Sequence, residues 1–159
     1  MTDLPVSDAP AASPADFAAM TGLEQMRAIA AGDTGWRGIG HLLNFRAVEV
    51  EEGRVVFSGT PGPDVYNPIG TVHGGYAATL LDSACGCACH TRLAPGQGYT
   101  TLELKVAYHR AITSATGEVF AEGRVTHFGR RAGYAEATLK DAGGKLLASA
   151  TSTLLVFER

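Results

Sequence analysis

The run from Gly74 through Asp82 to Ala88 restricts this chain's folding more than any other feature. Its small and apolar residues, among them Ala77, Leu80, Leu81, Ala84, Cys85 and Ala88, predict one helix buried on several sides. On either flank the apolar period falls to two. Residues 41–50 and 54–60 surround the turn Glu51-Glu52-Gly53 as a hairpin. From residue 101 to 109, Leu102, Leu104, Val106 and Tyr108 alternate with polar neighbours, which predicts a strand with those four on one buried face. Residues 119–126, 132–140 and 146–157 continue the pattern, with Asp141-Ala-Gly-Gly144 turning between the last two. Two strands, a long helix and four strands make an α+β layered arrangement, because a helix apolar nearly all round must be covered by a sheet.

Ahead of this lies an amphipathic segment, residues 16–31. Phe17, Met20, Leu23, Met26 and Ala30 fall at helical steps, Asp16 is a possible cap and Gly32 a stop. Residues 1–14, rich in Ala, Pro, Ser and Asp, are expected to form a mobile tail, leaving 15–159 as a single domain. Residues 61–72 read as a loop. A net charge of -3 and a pI near 5.9 exclude a global attraction to nucleic acid or to an anionic membrane. No apolar stretch approaches the roughly 20 residues of a membrane span, and no secretory signal is visible, so a cytoplasmic location is expected.

Chemistry concentrates at the start of the long helix. Gly74 and Gly75 let a bare backbone approach a ligand, and a helix N-terminus stabilises an oxyanion. A carbonyl oxygen held by either N–H would be polarised toward nucleophilic attack. Asp82, a lone carboxylate in an apolar helix, is either a nucleophile or general base, or else an internally bonded or solvated side chain. Eight residues of helix rise about 12 Å, whereas both groups must meet one carbonyl within about 3 Å. If they act together, Gly74 of one chain faces Asp82 of another, and a two-fold homodimer is expected. Cys85, Cys87 and Cys89 read as compact packing residues, not as a disulfide framework or zinc site. The five histidines show no ligand spacing, so no metal is expected, and no Gly-x-Ser-x-Gly elbow is present.

Asn67, then His73-Gly74-Gly75, then Asp82 nine residues after the histidine resembles the signature of the PaaI-type acyl-CoA thioesterases of the hotdog superfamily. Weaker similarity extends from residues 21–27 to the closing strand. The resemblance implies a hotdog fold and the hydrolysis of acyl-CoA thioesters, with aryl or phenylacetyl groups among the candidates. It implies that Asp82 is the nucleophile or general base and that the Gly74 amide polarises the thioester carbonyl. Asn67 would position water or substrate, while His73 and Gly75 line the site. It also places nucleotide contacts near His127 and Gly129-Arg130-Arg131, whose planar guanidinium groups suit phosphate, although a turn bearing two arginines is also an ordinary solvated surface. No cofactor is expected, since coenzyme A is part of the substrate, and a dimer of dimers is the expected assembly. Two positions depart from the family pattern. His109-Arg110-Ala111 stands where relatives commonly have an apolar residue and a proline, at the acyl pocket, and Gly86 stands where some relatives carry a hydroxyl. Ser83, beside Asp82, is given no chemical role. Two other readings stand beside hydrolysis: a hotdog hydratase or dehydratase using His73 with Asp82, and a non-catalytic acyl-CoA-binding protein.

Overall fold

Alternating apolar residues and glycine turns in the second half of the chain produce long antiparallel strands, and the helix Gly74–His90 is the surface on which they close. In the computed structural model, residues 14–32 and 38–159 are described. Strands β1 (Phe45–Glu51), β2 (Arg54–Gly59), β3 (Gln97–Tyr108), β4 (Val119–Phe128), β5 (Ala132–Asp141) and β6 (Leu146–Glu158) form a six-stranded sheet. Its order is β1-β2-β4-β5-β6-β3, and every pairing is antiparallel. The helices are α1 (Pro14–Ala19), α2 (Gly22–Ala31), α3 (Ile39–Leu42) and α4 (Gly74–His90). Helix α4 packs against β2, β3, β4, β5 and β6, so the expected α+β hotdog arrangement, with the sheet wrapped on a long helix, is what the structure has.

Leu80, Leu81, Ala84 and Cys85 of α4 meet Val55, Val119, Ala121, Leu139 and Leu154 of the sheet in one core from which solvent is excluded. Close approach needs a gap in the sheet, and Gly123 of β4 provides it. A Cβ at that position would lie 2.2 Å from the Ala84 carbonyl oxygen, nearer than any side chain can come. Burial pushes the thiols of Cys85 and Cys87 up to about 12 and that of Cys89 to about 11, as fits packing groups held away from redox chemistry.

The structure corrects three expected elements. The N-terminal helix is two helices, because Thr21 leaves the helical path to cap α2. Its hydroxyl accepts from the Glu24 N–H at 3.3 Å, while Glu24 accepts from the Thr21 N–H at 2.8 Å. The expected stop holds: Gly32 is left-handed at φ 81°. The strand expected from residue 41 begins at Phe45, because 39–42 coil into α3 and Asn44 turns the chain at φ 53°. Strand β3 starts earlier than expected, at Gln97, and carries a bulge between Thr101 and Glu103. The extra residue, Leu102, reverses the alternation, so Tyr99 and Thr101 share the helix-facing side with Leu104 and Val106. Leu102 itself is 61% exposed rather than buried. The tail expected over residues 1–14 lies outside the described residues, save for Pro14 at the start of α1.

Helix α2 closes the far end of α4. The Gly22 N–H donates to the Leu93 carbonyl at 2.9 Å. Gln25 donates to the carbonyls of Phe17 and Met20 and accepts from His90 Nε2 at 2.6 Å, so both faces of its amide are used. His90 stands edge-on to Tyr99, ring centroids 5.5 Å apart. Burial depresses the His90 imidazole from its ordinary 6.5 to about 4, so the donor facing Gln25 is a neutral ring.

Candidate active site

At the head of α4 the sequence builds a cap and a gap together. His73 is the N-cap, in extended conformation, and its Nδ1 accepts from the Gly75 N–H at 2.8 Å. An accepting Nδ1 carries no proton, so the ring proton sits on Nε2 and the exposed edge of His73 is a donor. Gly75 lies directly under the ring, where a Cβ would be 2.8 Å from Nδ1. The Gly75 amide is therefore occupied, whereas the Gly74 N–H takes no partner among the described residues. Of the two glycines, Gly74 is the one whose amide is open to a ligand, and it sits at the positive end of a 17-residue helix.

That amide borders a cavity of about 320 Å³. Val72, His73, Gly74 and Ala77 form one side, and residues 108–112 form the other. Tyr108, at the end of β3, donates its hydroxyl to the Gly74 carbonyl at 3.0 Å and so fixes the wall against the helix head. The departures from the family pattern, His109, Arg110 and Ala111, all line this cavity.

Asp82 lies two turns further along α4 and is half-buried. Its Oδ1 accepts from Thr101 Oγ1 at 3.0 Å, and its other oxygen takes no partner among the described residues. Strand β3 runs antiparallel to α4 in a definite register: Tyr108 at Gly74, Thr101 at Asp82 and the Tyr99 ring against Gly86. Both Thr101 and Tyr108 escaped the sequence reading. Alternation alone assigns Thr101 to the outward face, and the Leu102 bulge is what turns it inward. Within one chain Gly74 and Asp82 stay eight residues of helix apart, about 12 Å, and do not converge.

The other expected residues lie elsewhere. Asn67 braces its own loop: its Oδ1 accepts from the Ile69 N–H at 3.1 Å, and its Nδ2 donates to Thr71 Oγ1 at 3.1 Å. That loop ends in the isolated bridge Tyr66–Val72, which leads directly into His73. His127 is exposed on β4 beside Tyr134, ring centroids 6.0 Å apart. Arg130 and Arg131 are exposed in the β4–β5 turn, closed by the Gly129 N–H to the Ala132 carbonyl at 2.9 Å. This turn belongs to the tail end of α4, where Gly133 packs on Cys89, so a helix length of about 25 Å separates it from Gly74 of the same chain.

Comparison with known proteins bears on this geometry. A family model described as "Thioesterase superfamily" matches residues 69–148. A Halobacterium salinarum protein with a provisional esterase name is 39% identical over 69 residues; the match covers 42% of this chain and 44% of that relative's length. The phenylacetic acid degradation protein PaaI of Thermus thermophilus, solved as an Asn-to-Asp mutant, superposes with a TM-score of 0.67 at 27% identity. That superposition covers 74% of this chain and 96% of PaaI. The protein smu.793 of Streptococcus mutans, solved bound to acetyl-CoA, superposes with a TM-score of 0.66 at 27% identity over 73% of this chain and 90% of that one. No helix among the described residues is long and apolar enough to cross a membrane.

Proposed function

Since this chain belongs to the thioesterase superfamily, we propose that it hydrolyses acyl-CoA thioesters to the free acid and coenzyme A, aryl and phenylacetyl groups being the leading acyl candidates. The observation that carries this reading is the Gly74 N–H at the head of α4, unpartnered among the described residues and opening on a cavity, with Asp82 on the same helix. The Gly74 amide receives the negative charge that develops on the carbonyl oxygen. Asp82 of a second chain either attacks the carbonyl carbon, expelling the thiolate of coenzyme A and leaving an acyl anhydride that water then hydrolyses to the free acid, or takes a proton from an attacking water whose addition expels the same thiolate. The acetyl-CoA bound to smu.793 supports the substrate class, and the likeness to PaaI supports the aryl preference. His73 acts as a donor lining the site, since its Nδ1 is committed to Gly75; this favours hydrolysis over an acid–base hydration that would need the same ring as a base. Asn67 acts through its loop, holding His73 and Gly74 in place.

The second chain follows from β3. Among the described residues it is an edge strand of 12 residues, paired only with β6, with Leu102 and Tyr108 more than half exposed. A long open edge of this kind is a template for another strand. Antiparallel self-pairing that sets Tyr108 opposite the partner's Thr101 lays Gly74 beside the partner's Asp82. Counted around the Leu102 bulge, the two-fold axis then falls at Lys105. The same symmetry turns the partner's α4 tail toward this chain's α4 head, so His127, Arg130 and Arg131 of the partner subunit take the phosphates of coenzyme A.

Asp82→Asn tests the mechanism. It keeps the Thr101 bond and the side-chain volume while removing the charge. Thiol release should fall by about a hundredfold or more with the dimer intact by sedimentation. Near-normal turnover would remove Asp82 from the chemistry.

A further inference from the structure

Gly86 stands one turn past Asp82 on α4, a rise of about 6 Å, and β3 offers a ring to the space it leaves. A Cβ at position 86 would lie 2.9 Å from the Tyr99 hydroxyl oxygen and 3.0 Å from the ring's Cε2, so the ring occupies the place of a side chain on the helix. Tyr99 and Thr101 are two residues apart on the same face of β3, about 7 Å, which matches the helical turn. Thr101 thus pairs with Asp82, and Tyr99 fills the next layer of the α4–β3 seam. The ring is fixed there. It stands edge-on to His90, which Gln25 holds in turn, and its hydroxyl lies beside the Cys87 thiol. Burial above all, then the Cys87 thiol and the Asp82 carboxylate, keeps the Tyr99 hydroxyl above its ordinary range, so a neutral ring borders the carboxylate.

A thioester carbon placed at Asp82 has three substituents. In the proposed dimer its oxygen lies on the partner's Gly74 amide and its sulfur leads out to the exposed basic turn, which leaves the buried seam beside Asp82 for the acyl group. We propose that Tyr99, seated on Gly86, is the end wall of the acyl pocket and determines specificity: compact acyl groups, an aryl ring or a short chain, fit between Asp82 and the ring, and long alkyl chains do not. This deepens the thioesterase reading and rests on it. The wall acts by its volume, since the hydroxyl is turned to Cys87.

The test uses full-length protein with butyryl-CoA and decanoyl-CoA. It reads the ratio of kcat/KM for decanoyl to that for butyryl, which a general loss of structure would leave unchanged. Decanoyl-CoA should be the poorer substrate of the wild type by about tenfold or more, and Tyr99→Ala should raise the ratio by about tenfold or more. Tyr99→Phe keeps the ring and should keep the wild-type ratio. Should Tyr99→Ala unfold by circular dichroism, Tyr99→Leu takes its place with the same expectation. A wild type indifferent to chain length, an unchanged ratio in the truncated variant, or a Tyr99→Phe protein that shifts as far as the truncated one overturns the wall. If the wild type hydrolyses neither ester, the wall is judged by calorimetry with the same two ligands: a tenfold gain in decanoyl over butyryl affinity on truncation supports it, and an unchanged ratio ends it. The thioesterase reading itself fails only if phenylacetyl-CoA is inert as well.

Discussion

The two ends of α4 are built from the same small residues and are treated in opposite ways. At the tail, polar groups find partners within the fold: Gln25 meets His90, the Gly22 amide finds Leu93, and Thr91 accepts from the Gly53 N–H at 2.7 Å. The polar cleft outside it, about 490 Å³, is also neutralised from within. Arg54 meets Glu49, Glu51 and Glu122, Arg92 meets Glu52, and Arg124 meets Glu122. At the head, the Gly74 N–H takes no partner among the described residues, and no carboxylate is among the described residues that line the cavity beside it. A helix-head amide left open in this way is what the proposed oxyanion role requires, and the tail offers no counterpart to it.

The largest contrast should come from adding one methyl group at each end. At the tail, Gly22→Ala would set a Cβ 1.8 Å from the His90 carbonyl oxygen, and backbone at that spot cannot step aside. Helix α2 must lift from α4, at a cost of about 3 kcal/mol or more, lowering Tm by on the order of 10 °C. At the head, Gly74→Ala would meet the Tyr108 ring at 3.1 Å, and an exposed side chain can swing away. Calorimetry should show a Tm change of only a few degrees there, while thiol release falls because the methyl group occupies the approach to the amide. Equal losses of stability at both ends would contradict the comparison.

How far these ends were legible in the sequence differs in the same way. Local rules reveal part of the head: a double glycine before a helical run announces an amide open to a ligand, whereas the His73 cap that occupies Gly75 and leaves Gly74 open is seen only in the structure. The helix, the six strands and the glycine turns follow from periodicity for the same reason. The tail and the strand register were hidden because they depend on long-range contacts. Gln25 and His90 are 65 positions apart, and neither carries a local mark of its partner. The Leu102 bulge is set by the fit of β3 to β6, so alternation misassigns both Leu102 and Thr101. Thr21 is a further case, since residues 16–31 keep helical periodicity across a break that only the capping box with Glu24 creates.

A pH titration sharpens the tail. With the folded His90 depressed from 6.5 to about 4, the unfolded chain binds the proton more readily between those values. The contribution is fully present above about pH 6.5 and is lost as pH falls toward 4. It amounts to about 3 kcal/mol across that window. His90→Gln should flatten the acid limb of a stability curve followed by denaturant unfolding. An unchanged slope between pH 6.5 and 4 in that variant would mean that another group carries the acid sensitivity.

Tyr108→Phe probes the head more gently. It removes only the hydroxyl that holds the Gly74 carbonyl, an exposed bond whose loss should cost about 1 kcal/mol. If the Tyr108 wall positions the helix head, kcat for thioester hydrolysis should drop several-fold while the Asp82 region is unaffected. A fall in stability with no change in kcat would reduce Tyr108 to a packing role.

The smallest effect is expected in the self-neutralised cleft. Arg92 and Glu52 form an exposed pair at 3.3 Å, and side-chain entropy and salt screening cancel most of the attraction of such pairs. Glu52→Gln should therefore change the unfolding free energy by less than about 1 kcal/mol and leave thioester turnover untouched. Arg92 would keep its position over the Phe128 ring, 6.0 Å from the centroid, through a contact that does not need the carboxylate. The freed charge also tests whether the cleft is closed to ligands because its cations are paired. Inorganic phosphate should stabilise the Glu52→Gln protein measurably more than the wild type, as a steeper Tm rise with phosphate concentration at constant ionic strength. If phosphate stabilises the wild type to the same degree, the cleft was never neutral in function, and the contrast between the two ends of α4 would rest on the cavity beside Gly74 alone.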